Sequence, residues 1–173
     1  MKNMKIKGLL LASALATTAF AGTATNNITA SVTVASTLSV AATQNMTLGT
    51  ILQSGSSTVS VPAACPSVAP ANTGIFSVSG AAGGEGTTMA MAYDANLVDA
   101  SANTIAFSTP SAGYCATGDD TTAPTSVDTI GTAVTLVADG AATNQVFVGG
   151  TVTASAGQTP GVYTGSITLT VTY

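Results

Sequence analysis

The chain has 173 residues, only 6% of them charged, and it contains no Trp and no His. Its only basic side chains are Lys2, Lys5 and Lys7, and the seven acidic residues follow from Glu85 onward. Nucleic-acid binding depends on Lys and Arg at phosphates, so this composition excludes it. The missing His removes the Ser-His-Asp and Cys-His relays, and the missing Lys beyond position 7 removes Schiff-base chemistry. We therefore expect neither an enzyme nor a cofactor.

The first 21 residues have the features of a secretory signal peptide. Met1–Lys7 is basic, Gly8–Phe20 is an apolar run of 13 residues, and Ala19-Phe20-Ala21 gives the small-x-small cleavage pattern through Ala19 and Ala21. A membrane anchor is the alternative, but a spanning helix needs about 20 apolar residues. We predict cleavage after Ala21, which leaves an exported, acidic chain with no basic side chain and no membrane span.

Two cysteines, Cys65 and Cys115, remain in the exported part of the chain. An oxidising compartment favours a disulfide between a lone pair of cysteines. The alternative is a reactive thiolate, but no His or Lys is present to lower a thiol pKa. We predict a structural disulfide between these two residues.

The exported chain is rich in Thr, Ser, Val, Ala and Gly, and several windows alternate apolar and polar residues with period two. β-branched residues and this period are typical of strands. Many short strands separated by turn residues predict an antiparallel β-sandwich. The predicted strands are Asn27–Val40, Thr47–Leu52, Ser57–Val61, Ile75–Val78, Thr87–Tyr93, Ile105 to Phe107, Ala133–Val137, Asn144–Ala154 and Tyr163–Tyr173.

Between these strands, Gly and Pro mark the connections. We expect Ala112–Ile130 to be mostly loop, and Gly80–Gly86 to be a flexible hairpin tip. A phosphate-cradling loop at Gly80–Gly86 is the weaker alternative, because no Lys accompanies it. The Gly149-Gly150 pair predicts a kink or bulge in its strand.

Alternating segments occupy both ends of the exported chain. Either they are the first and last strands of a complete sandwich, or they serve donor-strand exchange. In the second case a subunit lacks one strand, and the N-terminal segment of the next subunit fills the gap by strand addition. Such filling would also cover the exposed edge of an incomplete sheet.

Four sequence elements resemble a known family. They are the alternating segment ITASVTVASTLSV (residues 28–40), Leu48-Gly49-Thr50-Ile51, Val-Gly-Gly-Thr-Val at 148–152, and the terminal GVYTGSITLTVTY at 161–173. Together they resemble the pilin subunits of the archaic chaperone-usher class, which share the spore-coat-U-like domain. One departure is that such domains often carry a Cys soon after the first strand, where this chain has Thr37-Leu38.

The resemblance implies an incomplete immunoglobulin-like antiparallel β-sandwich, completed by donor-strand exchange. It implies a signal peptide at 1–21, a donor-strand arm at 22–36 and a pilin domain at 37–173. The donor face would consist of Ile28, Ala30, Val32, Val34 and Leu38. One wall of the acceptor groove would consist of Ile167, Leu169, Val171 and Tyr173.

The resemblance also implies partners and a location. Copies of the chain would form a homopolymer, assembled with a periplasmic chaperone and an outer-membrane usher. The product would be a cell-surface filament, or fimbria, that supports adhesion and biofilm formation.

Three other interpretations compete with the pilin. The first is a self-contained secreted β-sandwich that serves as a coat or surface protein. The second is a tip adhesin, which usually needs a further receptor-binding domain. The third is a glycoside hydrolase with paired carboxylates, disfavoured because Trp platforms are absent. A calcium site at Asp94, Asn96 and Asp99 has suitable oxygen ligands, but the spacing matches no calcium loop, so we expect exposed loop acids.

Overall fold

The structure, a computed structural model, describes residues 37–84, 86–116, 122–139 and 143–173. All of them belong to one compact unit, Val34–Tyr173. The predicted signal peptide, including Ala19 and Ala21, and the predicted donor-strand arm at 22–36 lie outside the described residues.

The described residues form ten β-strands and no helix, and every strand pair is antiparallel. The predicted antiparallel β-sandwich is therefore confirmed. The strands are β1 (Ser39–Gln44), β2 (Ser56–Val59), β3 (Gly74–Ser79), β4 (Gly86–Tyr93), β5 (Asn96–Val98), β6 (Thr104–Cys115), β7 (Thr125–Val127), β8 (Thr132–Thr135), β9 (Asn144–Thr153) and β10 (Ile167–Thr172).

Two sheets face each other. The larger has seven strands in the order β1-β3-β9-β6-β5, with β2 also paired to β9 and β7 to β6. The smaller has three strands in the order β10-β4-β8. The main core lies between them, where Met89, Met91 and Leu169 of the smaller sheet meet Val146 and Val148 of β9. All five are buried, as the alternation within β4 and β10 predicts.

Strand β9 is buried on both of its faces. Val146 and Val148 point into the main core, whereas Phe147 packs with Ile75, Cys65 and Cys115 in a second cluster. The disulfide Cys65–Cys115 is present, with its Cα atoms 5.5 Å apart, and it confirms the predicted pairing. It fastens the loop between β2 and β3 to the end of β6, over the Phe147 ring.

Five sequence predictions about local structure were wrong. The strand predicted to end at Val40 instead begins at Ser39 and continues to Gln44, and residues 37 and 38 are not part of it. No strand forms over Thr47–Leu52, because Gly49 adopts a left-handed φ of 73° that interrupts an extended run. Ala112–Ile130 is less irregular than expected, since β6 continues to Cys115 and β7 forms within it. Gly80–Gly86 is not a hairpin tip, because it joins β3 of one sheet to β4 of the other. The last strand begins at Ile167 rather than Tyr163.

The bulge predicted at Gly149-Gly150 lies opposite those residues. On β6, Ser108 pairs with Thr151 and Ser111 pairs with Gly149, so the extra residue belongs to β6. On the side of β9 that faces away from β6, the pairing partner changes at the same place, from β3 at Val148 to β2 at Gly150.

Candidate assembly surface

The two sheets end in neighbouring edge strands, β1 and β10. Within the described residues, β1 pairs only with β3, and β10 pairs only with β4. The two strands approach each other across the side of the sandwich. We call the space between them the seam. Each strand presents backbone N–H and C=O groups to it, so the seam has the chemistry that accepts an added strand.

Strand β10 presents an apolar face to the sandwich interior. Leu169 is buried, and Ile167 and Val171 are half-buried against the main core. Thr168, Thr170 and Thr172 point outward and are exposed. Tyr173, which was predicted to continue the apolar wall, lies beyond the strand and is 63% exposed.

Of the five residues predicted to form the donor face, the structure describes only Leu38. Leu38 is half-buried and packs against the main core of its own chain. The other four, Ile28, Ala30, Val32 and Val34, lie outside the described residues. The donor role therefore stays a prediction for all five.

A groove of about 870 Å³ continues the seam at one end of the sandwich. Ala42 and Gln44 of β1 and Ile167 of β10 contribute to its lining, which makes it continuous with the seam. Its floor is apolar and includes Ile105, Phe107 and Val152 from the third core cluster.

Two segments without strand structure flank the groove. We call residues 45–53 the first wall and residues 158–166 the second wall. Met46, Leu48 and Ile51 of the first wall and Tyr163 of the second are half-buried against the apolar floor. Leu52 and Val162, one on each wall, are both 81% exposed. An extended apolar segment placed here would therefore contact aliphatic side chains on both sides.

The second wall is held to the body of the domain by hydrogen bonds. The Asp94 carboxylate accepts a bond from the Ser166 backbone N–H at 2.7 Å. The Val98 and Thr164 backbones exchange bonds at 2.8 and 3.0 Å. The Gln158 side chain donates to the Thr104 carbonyl at 3.1 Å and to the Tyr163 hydroxyl at 2.7 Å.

Residues 38–173 match the family described as domain of unknown function DUF4402. The match covers most of the chain, including both edge strands and both walls. The chain belongs to this family. No curated protein matches the sequence.

The DUF4402 domain uses its loop acids to hold local turns. Asp99 accepts bonds from the Ser101 and Asn103 backbone N–H groups at 2.9 and 2.8 Å, and from the Asn103 side chain at 2.8 Å. These bonds, above all the one from the Asn103 side chain, lower the pKa of the Asp99 carboxyl. Together with the bond that Asp94 accepts from the Ser166 backbone N–H, they show that two of the three residues considered for calcium have structural roles. Within the described residues, no three His, Cys, Asp or Glu side chains cluster together.

The DUF4402 domain also contains a buried polar network that the sequence did not indicate. The Tyr114 hydroxyl lies 2.8 Å from Asn144 Oδ1 and 3.0 Å from the Thr135 carbonyl, so it can donate to either. Asn144 bonds both backbone groups of Val137 at 2.9 Å. Burial of this hydroxyl raises the pKa of Tyr114. The network joins β6 and β9 to the segment after β8, at the end where β10 finishes.

Sequence reasoning missed the walls of the groove. The sequence predicted strands over Thr47–Leu52 and from Tyr163 onward, but residues 47–52 and 163–166 form no strand, and no pattern marked Gln53 or Gln158. The sequence Thr159-Pro160-Gly161 is typical of a turn, which indicates a loop there but does not predict its contacts. No helix among the described residues is long and apolar enough to cross a membrane.

Proposed function

We propose that this protein is a structural pilin subunit that is exported and polymerises into a cell-surface filament. Each subunit inserts its N-terminal segment into the seam and groove of the next, by donor-strand complementation. The observation that carries the proposal is the seam, which offers two neighbouring strand edges and an apolar lining. An alternating apolar segment, Ile28–Val34, precedes the domain in the sequence and has the period that such a site accepts.

The N-terminal arm joins the domain at one end of β1, and the groove lies at the other end of that strand. The Thr37 carbonyl lies against Gly80, directly after the end of β3, and Ser39 pairs with Ser79. The groove begins at the other end of the strand, where Gln44 leads into the first wall. Six strand residues separate the two places by about 20 Å. A contact between such opposite ends is head-to-tail, and head-to-tail contacts that do not close into a ring build open filaments.

The sequence of the arm favours a neighbour as the acceptor over its own subunit. To fill its own seam, the segment would have to turn back sharply just before β1. Residues 29–40 contain no Gly, Pro, Asn or Asp, the residues that tight hairpin turns use. Residues 22–36 can instead extend outward by about 50 Å.

The lack of basic side chains is also consistent with an apolar joint between subunits. The chain after Lys7 has no basic side chain, so copies cannot form side-chain ion pairs with one another. Backbone ladders and apolar burial would hold the joint, and its durability would come from slow unzipping of the inserted strand. The same composition favours a structural role over a catalytic one.

The resemblance supplies the remaining parts of the proposal. A periplasmic chaperone would cap the seam before assembly, and an outer-membrane usher would drive the exchange. The resulting filament would support adhesion and biofilm formation at the cell surface.

A self-contained secreted sandwich is the second candidate. It is favoured by Leu38, which already packs against the core of its own chain. In that case the arm would be an ordinary part of its own sheet, and the protein would remain monomeric.

Deleting Gly22–Val34 behind an intact signal peptide separates the two candidates. The pilin proposal predicts that the deletion variant is exported and forms its disulfide but yields no filaments in material sheared from the cells. Filaments of normal appearance from this variant would overturn the proposal. Monomers from both the wild type and the variant would favour the self-contained sandwich.

A further inference from the structure

Gln158 connects three parts of the domain around the groove: the first wall, β6 and the second wall to which it belongs. Its backbone carbonyl accepts a bond from Gln53 Nε2 of the first wall at 2.7 Å. Its side chain donates to the Thr104 carbonyl of β6 and to the Tyr163 hydroxyl. The Tyr163 hydroxyl in turn donates to the Thr159 carbonyl at 2.6 Å.

Among the described residues, the Gln53–Gln158 bond is the only hydrogen bond that joins the first wall to the second. Along the rest of their length, the walls are separated by the groove. At this end of the groove, the spacing of the walls therefore depends on Gln158, together with the neighbouring bond from the Ser54 backbone N–H to the Ser155 carbonyl at 3.3 Å. The Gln158 backbone N–H donates to the Ser155 carbonyl at 3.2 Å, and the side-chain bonds to Thr104 and Tyr163 add to this hold, because they fix Gln158 to β6 and to a ring packed on the apolar floor.

We propose that Gln158 is a positioning residue that sets the spacing of the two groove walls for the incoming segment. This inference rests on the proposed function, and it names the occupant as Ile28–Val34 of a second copy. A groove held at the spacing of a strand needs less ordering when the segment enters, which strengthens binding without adding a contact.

Loss of the Gln158 side chain would remove two hydrogen bonds of the second wall together. The Tyr163 ring would lose the donor that orients its hydroxyl, and the second wall would lose its bond to β6. The filament joint would weaken mainly through faster escape of the inserted strand, as is usual for changes at one interface. The main core and the disulfide would be unaffected, because Gln158 contacts neither.

The test uses full-length protein in producing cells with Gln158→Ala, Tyr163→Phe and the double variant. Gln145→Ala is the matched control, because Gln145 is half-buried on β9 near Asn144, at the end of that strand away from the walls. Sheared filaments are held in SDS at increasing temperature, and the released monomer is measured on gels. Export and disulfide formation are measured in the same cells.

We expect Gln158→Ala filaments to release monomer several-fold faster than wild type, with Gln145→Ala unchanged and export normal. Tyr163→Phe should shift release in the same direction, and the effect of the double variant should be smaller than the sum of the two single effects, because each substitution already breaks the bond between Gln158 and Tyr163. Normal release from both single variants would overturn the role of Gln158 and leave the pilin proposal standing. Absence of filaments from the wild type would overturn the pilin proposal and this inference together.

Discussion

The Phe107 ring packs directly against the backbone of Gly150, so closely that a Cβ atom at position 150 would overlap the ring. Phe107 is buried on the floor of the groove and meets Tyr93 edge-on, with ring centroids 6.1 Å apart. Gly150 is also the residue at which β9 gains β2 as its partner. Because Gly150 has no side chain, the Phe107 ring can pack into the core at the place where the seam continues into the groove.

Replacing Gly150 with Ala should destabilise the domain by about 1–3 kcal/mol, because the added methyl overpacks a buried site. The expected result is a fall of several degrees in the thermal unfolding midpoint, measured by circular dichroism. Gly157→Ala is the matched control, since a Cβ there meets nothing within 4 Å. Equal midpoints for the two variants would show that the Phe107–Gly150 contact leaves room for an added methyl group.

Removing the disulfide should cost about 2–5 kcal/mol of unfolding free energy, because the bridge closes a long loop. The bond links residues 50 positions apart and joins the buried cluster around Phe147. The measurement is denaturant unfolding of the wild type and of a Cys65→Ser/Cys115→Ser variant. Adding a reductant should lower the wild-type midpoint and leave the variant unchanged. An unfolding midpoint of the wild type that does not change when the reductant is added would contradict this prediction.

Trypsin should not cut the chain that the predicted cleavage after Ala21 would leave, even after complete unfolding. Trypsin cleaves after Lys and Arg, and the last such residue in the chain is Lys7. The check is mass spectrometry of reduced, urea-unfolded protein after digestion, with a chymotrypsin digest as proof that the chain is accessible. A tryptic fragment would mean that the signal region is retained.

Part of the fold could be predicted because strands such as β4 and β10 bury one face and expose the other. Met89 and Met91 alternate with Thr88 and Ala92, and the structure buries the methionines and exposes the others. Burial enforces the alternation, so the period of two is present in the sequence itself.

The rest of the fold depends on partners far away in the chain. Thr47–Leu52 has the residues of a strand, but its position beside the groove and the φ of Gly49 leave it without a paired strand. Strand β7 exists only because β6 lies next to it. Edge strands and loops of this kind follow from tertiary contacts rather than from local preference.

The candidate assembly surface likewise has one part that the sequence predicted and one part that it did not. The apolar face of β10 was predicted from its alternation, and the structure places Leu169 and Val171 against the core. The groove walls were not predicted, because Gln53, Gln158 and Tyr163 meet only in the folded domain.

The central claim is that one face of the arm enters a neighbouring subunit, and two single substitutions test it most directly. Val32→Asp places a charge on the face predicted to be buried in the seam, and Thr33→Asp places the same charge on the opposite face. Negative-stain electron microscopy of sheared material should show filaments for Thr33→Asp and none for Val32→Asp, with both proteins exported. Equal numbers of filaments from the two variants would contradict donor-strand assembly through this segment.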